Sequence, residues 1–209
     1  MLLGAVVAVA LSTASGRAAA IIEFGSGFGG AGGTVNIGAN VTGSWIFIDQ
    51  VTIVGAPVNN GVFDVEGAGV CGDAVGGCGL LSFDKTLNTI TLIGSIPALG
   101  ILAPLNLLSG DLSGGVNVLV NNGTQGSLTI AGTDTKAPSL LTAIGLAPAT
   151  PFTFFGFETA VNTTGQGSPY TGISTDITNT QVPEPASLVF LSGGLMGLAL
   201  RAHYRSRRR

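Results

Sequence analysis

Few side chains in this sequence could carry chemistry. Cys71 and Cys78 are the only two cysteines, and six residues separate them in a glycine-rich stretch. In an exported protein such a pair predicts a disulfide, which by loop entropy would contribute roughly 2–3 kcal/mol. A zinc site is the alternative, but the sole histidine, His203, lies far away near residue 209. We therefore predict a disulfide and no metal site.

Catalytic candidates are equally sparse. Because the one histidine is His203, the region before residue 182 cannot hold a Ser-His-Asp triad or a histidine-ligated metal. Asp64 and Glu66 share one face of a possible strand and could form a glycosidase pair, although such carboxylates usually form a solvated face. Asp73 with neighbouring carbonyls could bind calcium, but its spacing matches no EF-hand. We predict a non-catalytic protein with no cofactor.

Charge narrows the range of partners. Charged residues make up only 9% of the chain, against roughly 25% in ordinary globular proteins, while a hydrophobic fraction of 45% still allows a core. Between residues 21 and 182 the only bases are Lys85 and Lys136, against ten acidic residues. Phosphate backbones would repel this acidic, arginine-free region, so nucleic acid is not an expected partner.

The N-terminus has the pattern of a secretory signal peptide. Residues 2–11 form an apolar run interrupted only by Gly4, about the length of a signal-peptide core. Ala18 and Ala20 supply small side chains at both recognition positions, which predicts cleavage after Ala20 and a mature chain that begins at Ile21. The alternative is a buried N-terminal helix, since ten apolar residues are too few to span a membrane.

The C-terminus has three parts in a fixed order. In the first, Val182-Pro183-Glu184-Pro185, two prolines keep the segment extended and accessible. Residues 186–200 are apolar and would form a helix about 23 Å long at roughly 1.5 Å per residue. Snorkelling arginines would let this helix span the membrane, with its basic end in the cytoplasm. An amphipathic core helix is the alternative. The basic end consists of Arg201, Arg205, Arg207, Arg208 and Arg209.

Together these three parts resemble the PEP-CTERM sorting domain. The resemblance rests on Val182-Pro183-Glu184-Pro185-Ala186-Ser187-Leu188, a glycine-containing apolar span and an arginine-rich end. It implies recognition by exosortase, a membrane-embedded cysteine protease-transpeptidase of exopolysaccharide-producing Gram-negative bacteria. It also implies a place in an extracellular polysaccharide or biofilm matrix. Residues 81–94 and 134–145 look similar, more loosely, to ectodomains common among PEP-CTERM proteins, which implies a β-rich surface domain.

Between residues 21 and 181, apolar side chains recur mostly with a period of two, as in strands. The clearest such segments are Thr34–Ile37, 45–48, 51–54, 89–93, Val116–Val120 and 127–130. They are short, rich in β-branched residues and bounded by Gly, Asn or Asp. This pattern predicts an all-β domain, an antiparallel β-sandwich or a jelly-roll-like fold.

Five shorter segments complete the fold prediction. Asn60-Gly61 and Asn122-Gly123 predict tight turns, because these residue types tolerate positive φ. Residues 139–146 predict one short helix after Pro138. Residues 96–108 fit a loop, a short helix or an edge strand, and the glycine-rich residues 25–33 fit a flexible lead-in or a hairpin.

The sequence therefore predicts a signal peptide over residues 1–20, a β-rich ectodomain over 21–181 and a sorting signal over 182–209. We expect an exported protein anchored in the inner membrane, with a periplasmic ectodomain that reaches the cell surface or the medium after processing. The predicted role is that of a non-catalytic surface or matrix protein. One alternative is a carbohydrate-binding adhesin that uses a sandwich face or loops, for which loss of glycan binding on substitution of Trp45 would be the evidence. A less favoured alternative is a glycan hydrolase that uses Asp64 or Glu66.

Overall fold

The computed structural model describes residues 19–26, 32–37, 40–71, 76–114, 116–120, 125–162 and 169–182. These residues contain twelve strands and one short helix, α1 (Pro138–Ala143). The strands are β1 (Ile21–Gly25), β2 (Thr34–Ile37), β3 (Val41–Ile48), β4 (Gln50–Val54), β5 (Gly61–Asp64), β6 (Gly79–Asp84), β7 (Thr89–Ile96), β8 (Ile101–Asp111), β9 (Val116–Val120), β10 (Gln125–Lys136), β11 (Phe152–Asn162) and β12 (Tyr170–Gln181).

Every strand pairing is antiparallel, and hydrogen bonds join all twelve strands in one curled sheet. Eight strands follow the order β11-β10-β8-β7-β6-β3-β2-β12, and β12 also pairs with β11, so this path closes into a ring. β1, β4 and β5 extend from β12, and β9 pairs with β10. The all-β antiparallel prediction is confirmed, but a single curled sheet replaces the two sheets of a sandwich.

Ring closure depends on the length of β12. Along one edge this strand pairs with β11 from Thr171 to Gln181. Along its other edge it pairs first with β2, at Tyr170 and Thr171, and then with β1, from Asp176 to Thr180. The last strand of the described chain therefore pairs with the two strands nearest its beginning and with the strand directly before it.

Alternation of side chains along the strands builds the core. In β7, Ile90 and Leu92 are fully buried, whereas Thr89, the first residue of the strand, is exposed. In β1, Ile22 and Phe24 are likewise fully buried. At about 25 cal/mol per Å² of apolar surface, each such side chain contributes roughly 2 kcal/mol to stability. In these two strands the period-two pattern thus places the apolar side chains in the core.

Most of the predicted elements are confirmed. All six segments predicted as strands lie within strands, and the predicted helix is α1, which Pro138 opens and which buries Leu140 and Leu141. Residues 96–108 divide into a 3-10 turn, Pro97–Leu99, and the long strand β8. Proline starts both helical turns because its missing N–H is not needed at that position.

Two loop predictions are wrong. Ile53 pairs with Gly61, and residues 55–60 connect β4 to β5 in place of a tight Asn60-Gly61 turn. The Asn60 amide closes this loop by two 2.9 Å hydrogen bonds to the backbone of Ala56. The hairpin predicted over the glycine-rich residues 25–33 is wrong, because the flanking strands β1 and β2 both pair with β12 and not with each other. Residues 27–31 of this stretch lie outside the described residues. Asn122-Gly123 lies outside the described residues.

Candidate functional site

The two ends of the described chain meet. Ile21 pairs with Thr180 in the β1–β12 ladder. Beyond the ladder, the Gln181 N–H donates to the Ala20 carbonyl at 2.9 Å, and the Ala20 N–H donates to the Gln181 Oε1 at 3.3 Å. The Val182 N–H donates to the Pro151 carbonyl at 3.0 Å. The fold therefore extends to Val182, the residue directly before Pro183.

Most residues of the predicted targeting segments lie outside the described residues. Val182 and Ala20 are described, and Ala20 is buried at 1% exposure. The others are Ala18, Pro183, Glu184, Pro185, Arg201, Arg205, Arg207, Arg208 and Arg209. Among the residues that are described, no helix is long and apolar enough to cross a membrane. Residues 186–200, the predicted membrane helix, are not among them.

Cys71 and Cys78 form the predicted disulfide, with their Cα atoms 5.8 Å apart. Both side chains are buried, at 1% and 0% exposure. Next to the disulfide, Gly69 and Cys78 exchange two backbone hydrogen bonds of 3.0 and 2.9 Å. The disulfide thus lies directly before β6, one of the strands of the ring. Asp73, the candidate calcium ligand, lies outside the described residues.

The two carboxylates considered for glycan hydrolysis belong to different strand pairings. Asp64 ends β5 and pairs with Gln50 of β4. Glu66 forms an isolated bridge with Ser95 of β7 through hydrogen bonds of 2.9 and 2.8 Å. Within the described part of the chain, no three His, Cys, Asp or Glu side chains are grouped closely enough to hold a metal ion.

A buried ion pair was not predicted from the sequence. Asp134 and Lys136 in β10 form a salt bridge in which both side chains are fully buried. The Lys136 Nζ lies 5.0 Å from the ring centroid of Phe152 and 5.9 Å from that of Phe24, close enough for cation–π attraction. The second carboxylate oxygen of Asp134 has no hydrogen-bond partner.

Burial sets the protonation behaviour of this pair. Desolvation lowers the pKa of Lys136 to about 8, although the charge of Asp134 opposes the shift. Desolvation also raises the pKa of Asp134, against the opposing effect of Lys136. The pair could have been located from its position in the strand. Alternate residues of β10 point inward, and Asp134 and Lys136 fall on the same alternate positions as the buried Leu128 and Ile130.

Trp45 lies at a β-bulge beside an open cleft. Gly43 pairs with Phe83 and Ile46 with Leu81, so Ser44 and Trp45 together face the single residue Ser82. The Trp45 backbone has φ 62°, in the left-handed region, and its side chain is 67% exposed. The cleft measures about 310 Å³ and is lined by Thr42, Gly43, Ser44, Ser82, Phe83, Asp84, Thr89 and Thr91.

The backbone before β2 braces this bulge. Gly33 has φ 77°, and a Cβ at this position would lie 2.5 Å from the Trp45 carbonyl oxygen and 2.6 Å from the Ile46 nitrogen. Only glycine permits both the left-handed conformation and the close approach. The Trp45 N–H in turn donates to the Ser82 hydroxyl at 3.3 Å. Contacts from two neighbouring strands therefore hold Trp45 in its unusual conformation.

An all-β domain whose last strand leads directly into a proline-flanked segment, an apolar stretch and an arginine cluster has the organisation of a protein sorted through its C-terminus. Residues 181–208 match the family model described as the PEP-CTERM protein-sorting motif. The chain carries this motif, as the resemblance predicted, and the motif implies export, membrane-anchored sorting and processing related to exosortase. No curated protein and no solved structure matches the chain at a significant level.

Proposed function

We propose that this protein is a non-catalytic component of the cell surface or extracellular matrix, delivered through its PEP-CTERM motif and processed by exosortase. One observation carries the proposal. The motif begins at residue 181, which is also the last residue of β12. A cut just beyond Val182 would therefore separate the anchor from the domain without removing any described strand.

The proposed route has two membrane steps. A signal peptide over residues 1–20 starts export and is removed after Ala20. Residues 186–200 then hold the chain in the inner membrane, with the ectodomain in the periplasm and the arginines in the cytoplasm. The positive-inside rule supports this orientation. After exosortase acts, the ectodomain reaches the cell surface or the medium.

The proposed role in an exopolysaccharide or biofilm matrix rests on the resemblance and on composition. A charged fraction of 9% suits a hydrated, hydroxyl-rich environment. A structural role is favoured over hydrolysis because Asp64 and Glu66 pair with different strands.

Intact-mass analysis of the protein from its host, with and without the exosortase, tests the proposal. We expect a mature form from Ile21 to near Val182 only when the enzyme is present. Replacing Pro183, Glu184 and Pro185 together by alanine should abolish this form, whereas the neighbouring control Ser187→Ala should keep it. A chain that retains its arginine tail in both strains would overturn the processing claim.

A further inference from the structure

The outer face of the ring carries two rows of polar side chains that meet at the cleft beside Trp45. Strand register places Thr42, Asp84, Thr89, Asp111 and Thr133 opposite one another across β3, β6, β7, β8 and β10. A second row, two residues along each strand, contains Ser44, Ser82, Thr91, Ser109 and Thr135. None of these side chains, which we call the hydroxyl rows, is fully buried.

The rows are regular because side chains alternate between the faces of the sheet. Phe83, Ile90 and Asp134 lie between row residues on their strands, and all three are buried in the ring. With strands about 4.8 Å apart, five strands give each row a length of roughly 19 Å. The rows therefore offer an extended polar track and not a single pocket.

Trp45 supplies an aromatic surface at one end of this track. A bulky residue in the left-handed region costs of order 1–3 kcal/mol and persists only where the surroundings impose it. The strain here does not serve burial, because the indole is 67% exposed. In this chain Trp45 is the only tryptophan, and the bulge presents it on the same side as Ser44, which lines the cleft.

Charge limits what could lie on the track. Asp84 and Asp111 are both in the first row. Among the described residues the lysines are Lys136, which is buried with Asp134, and Lys85, which donates from its Nζ to the Asn88 Oδ1 at 3.0 Å and to the Leu112 carbonyl. An anionic polymer would meet two row carboxylates, against one lysine whose ammonium already donates to Asn88 and Leu112. A neutral polymer rich in hydroxyls would meet hydrogen-bonding partners along the rows and a ring to stack on.

We infer that the hydroxyl rows and Trp45 form a binding site for a neutral polysaccharide chain. Trp45 stacks on a sugar ring, and the Ser and Thr hydroxyls exchange hydrogen bonds with sugar hydroxyls along the track. The site deepens the proposed function, on which it rests for access to extracellular glycan. Specificity for neutral chains follows from Asp84 and Asp111, which disfavour acidic sugars.

The test is affinity electrophoresis of the exported protein, purified from its host, in gels that contain the neutral fraction of the host's extracellular polysaccharide. Gels with alginate provide the anionic comparison. We expect retardation in the neutral gel only. Trp45→Gly should weaken binding about tenfold or more, as for loss of a central aromatic anchor, and should not lower Tm, because glycine relieves the backbone strain.

Three further variants make the test specific. Trp45→Phe keeps a ring and should retain binding within about threefold, and Thr91→Val should weaken it about two- to fivefold by removing one hydroxyl. Val62→Ala changes an equally exposed apolar side chain on β5 (63% exposed) and should bind like the wild type. If Trp45→Gly does lower Tm, unchanged affinity in Thr91→Val overturns the inference.

The outcomes separate this inference from the proposed function. Equal retardation of wild type and Trp45→Gly, no retardation in the neutral gel, or stronger retardation in alginate each overturns the glycan site, even when exosortase processing is intact. Conversely, neutral-glycan binding by a chain that is never processed supports the site and contradicts the sorting route alone.

Discussion

Lys136→Met should destabilise the protein by about 3–4 kcal/mol at pH 7, because it leaves the Asp134 carboxylate buried without its counter-charge. The upper bound follows from protonation. A carboxyl with an ordinary pKa of 3.8 can escape the penalty by taking up a proton, which at pH 7 costs about 4 kcal/mol at roughly 1.4 kcal/mol per pH unit. Loss of the stacked lysine stem adds little, since methionine fills similar space.

The same reasoning fixes the sign of the pH dependence. In Lys136→Met the Asp134 pKa is raised further in the folded state. The variant's loss of unfolding free energy relative to wild type is therefore present above the unfolded-state pKa of this carboxyl and grows as pH rises. Near pH 4 the deficit should shrink to about 1 kcal/mol or less, because this pH is close to the ordinary carboxyl pKa of 3.8 and protonating the buried Asp134 then costs little free energy. Lowering the pH therefore rescues this variant relative to wild type.

The double variant Asp134→Leu/Lys136→Met completes a double-mutant cycle for the ion pair. Replacing both partners by apolar side chains removes the two desolvation penalties together, so its stability should lie within about 1 kcal/mol of wild type. Asp134→Leu alone leaves an unpaired lysine, whose penalty at pH 7 is again several kcal/mol at roughly 1.4 kcal/mol per unit of pKa shift. The coupling between the two sites should therefore exceed about 3 kcal/mol.

Urea unfolding followed by far-UV circular dichroism, with the disulfide intact, measures these changes. Fluorescence is less suitable because the only tryptophan, Trp45, is already exposed in the folded protein. Lys85→Met is the matched control, since this lysine lies at a surface turn and should cost about 1 kcal/mol. Losses that simply add in the double variant, or a Lys136→Met deficit that persists at pH 4, would refute the reasoning.

Three other predictions concern the disulfide, the bulge and the N-terminus. Replacing Cys71 and Cys78 by serine should lower the free energy of unfolding by about 2–3 kcal/mol; denaturant titration measures it, and no change would contradict closure of the loop. Gly33→Ala should lower Tm more than Gly100→Ala, because both have φ near 80° but only Gly33 has atoms within 3 Å of the added Cβ. A chain that retains Ala20 should be about 1–2 kcal/mol more stable than one cut after it, because its hydrogen bonds to β12 persist; equal thermal unfolding of the two forms, identified by mass, would contradict this.

Local pattern explains what could be predicted. Alternation in β7 and β9 was visible in the sequence, and so was the proline-flanked segment that begins at Val182. Each of these features depends on residues that are neighbours in the chain. The short loop between Cys71 and Cys78 could be predicted for the same reason.

The features that could not be predicted from the sequence depend on pairing between strands that are distant in the chain. Nothing within β12 indicates that it pairs with β11 on one edge and with β1 and β2 on the other, and this pairing is what turns a sandwich into a ring. The burial of Asp134 and Lys136 was missed because composition places charges on the surface, whereas strand parity places these two inside. The Asn60 turn failed because its amide bonds to Ala56 instead of entering a two-residue turn.

The pairing of the first strand with the last also constrains when folding can finish. The Asn179 side-chain amide donates to the Ile22 carbonyl across 157 positions of sequence, a contact that forms only after nearly the whole domain has been translocated. Contacts this distant in sequence make folding slow. On the proposed route the domain would thus remain incompletely folded during export until the residues next to its membrane anchor have been exported. The fold would then be completed only after the residues directly before the sorting motif have been exported.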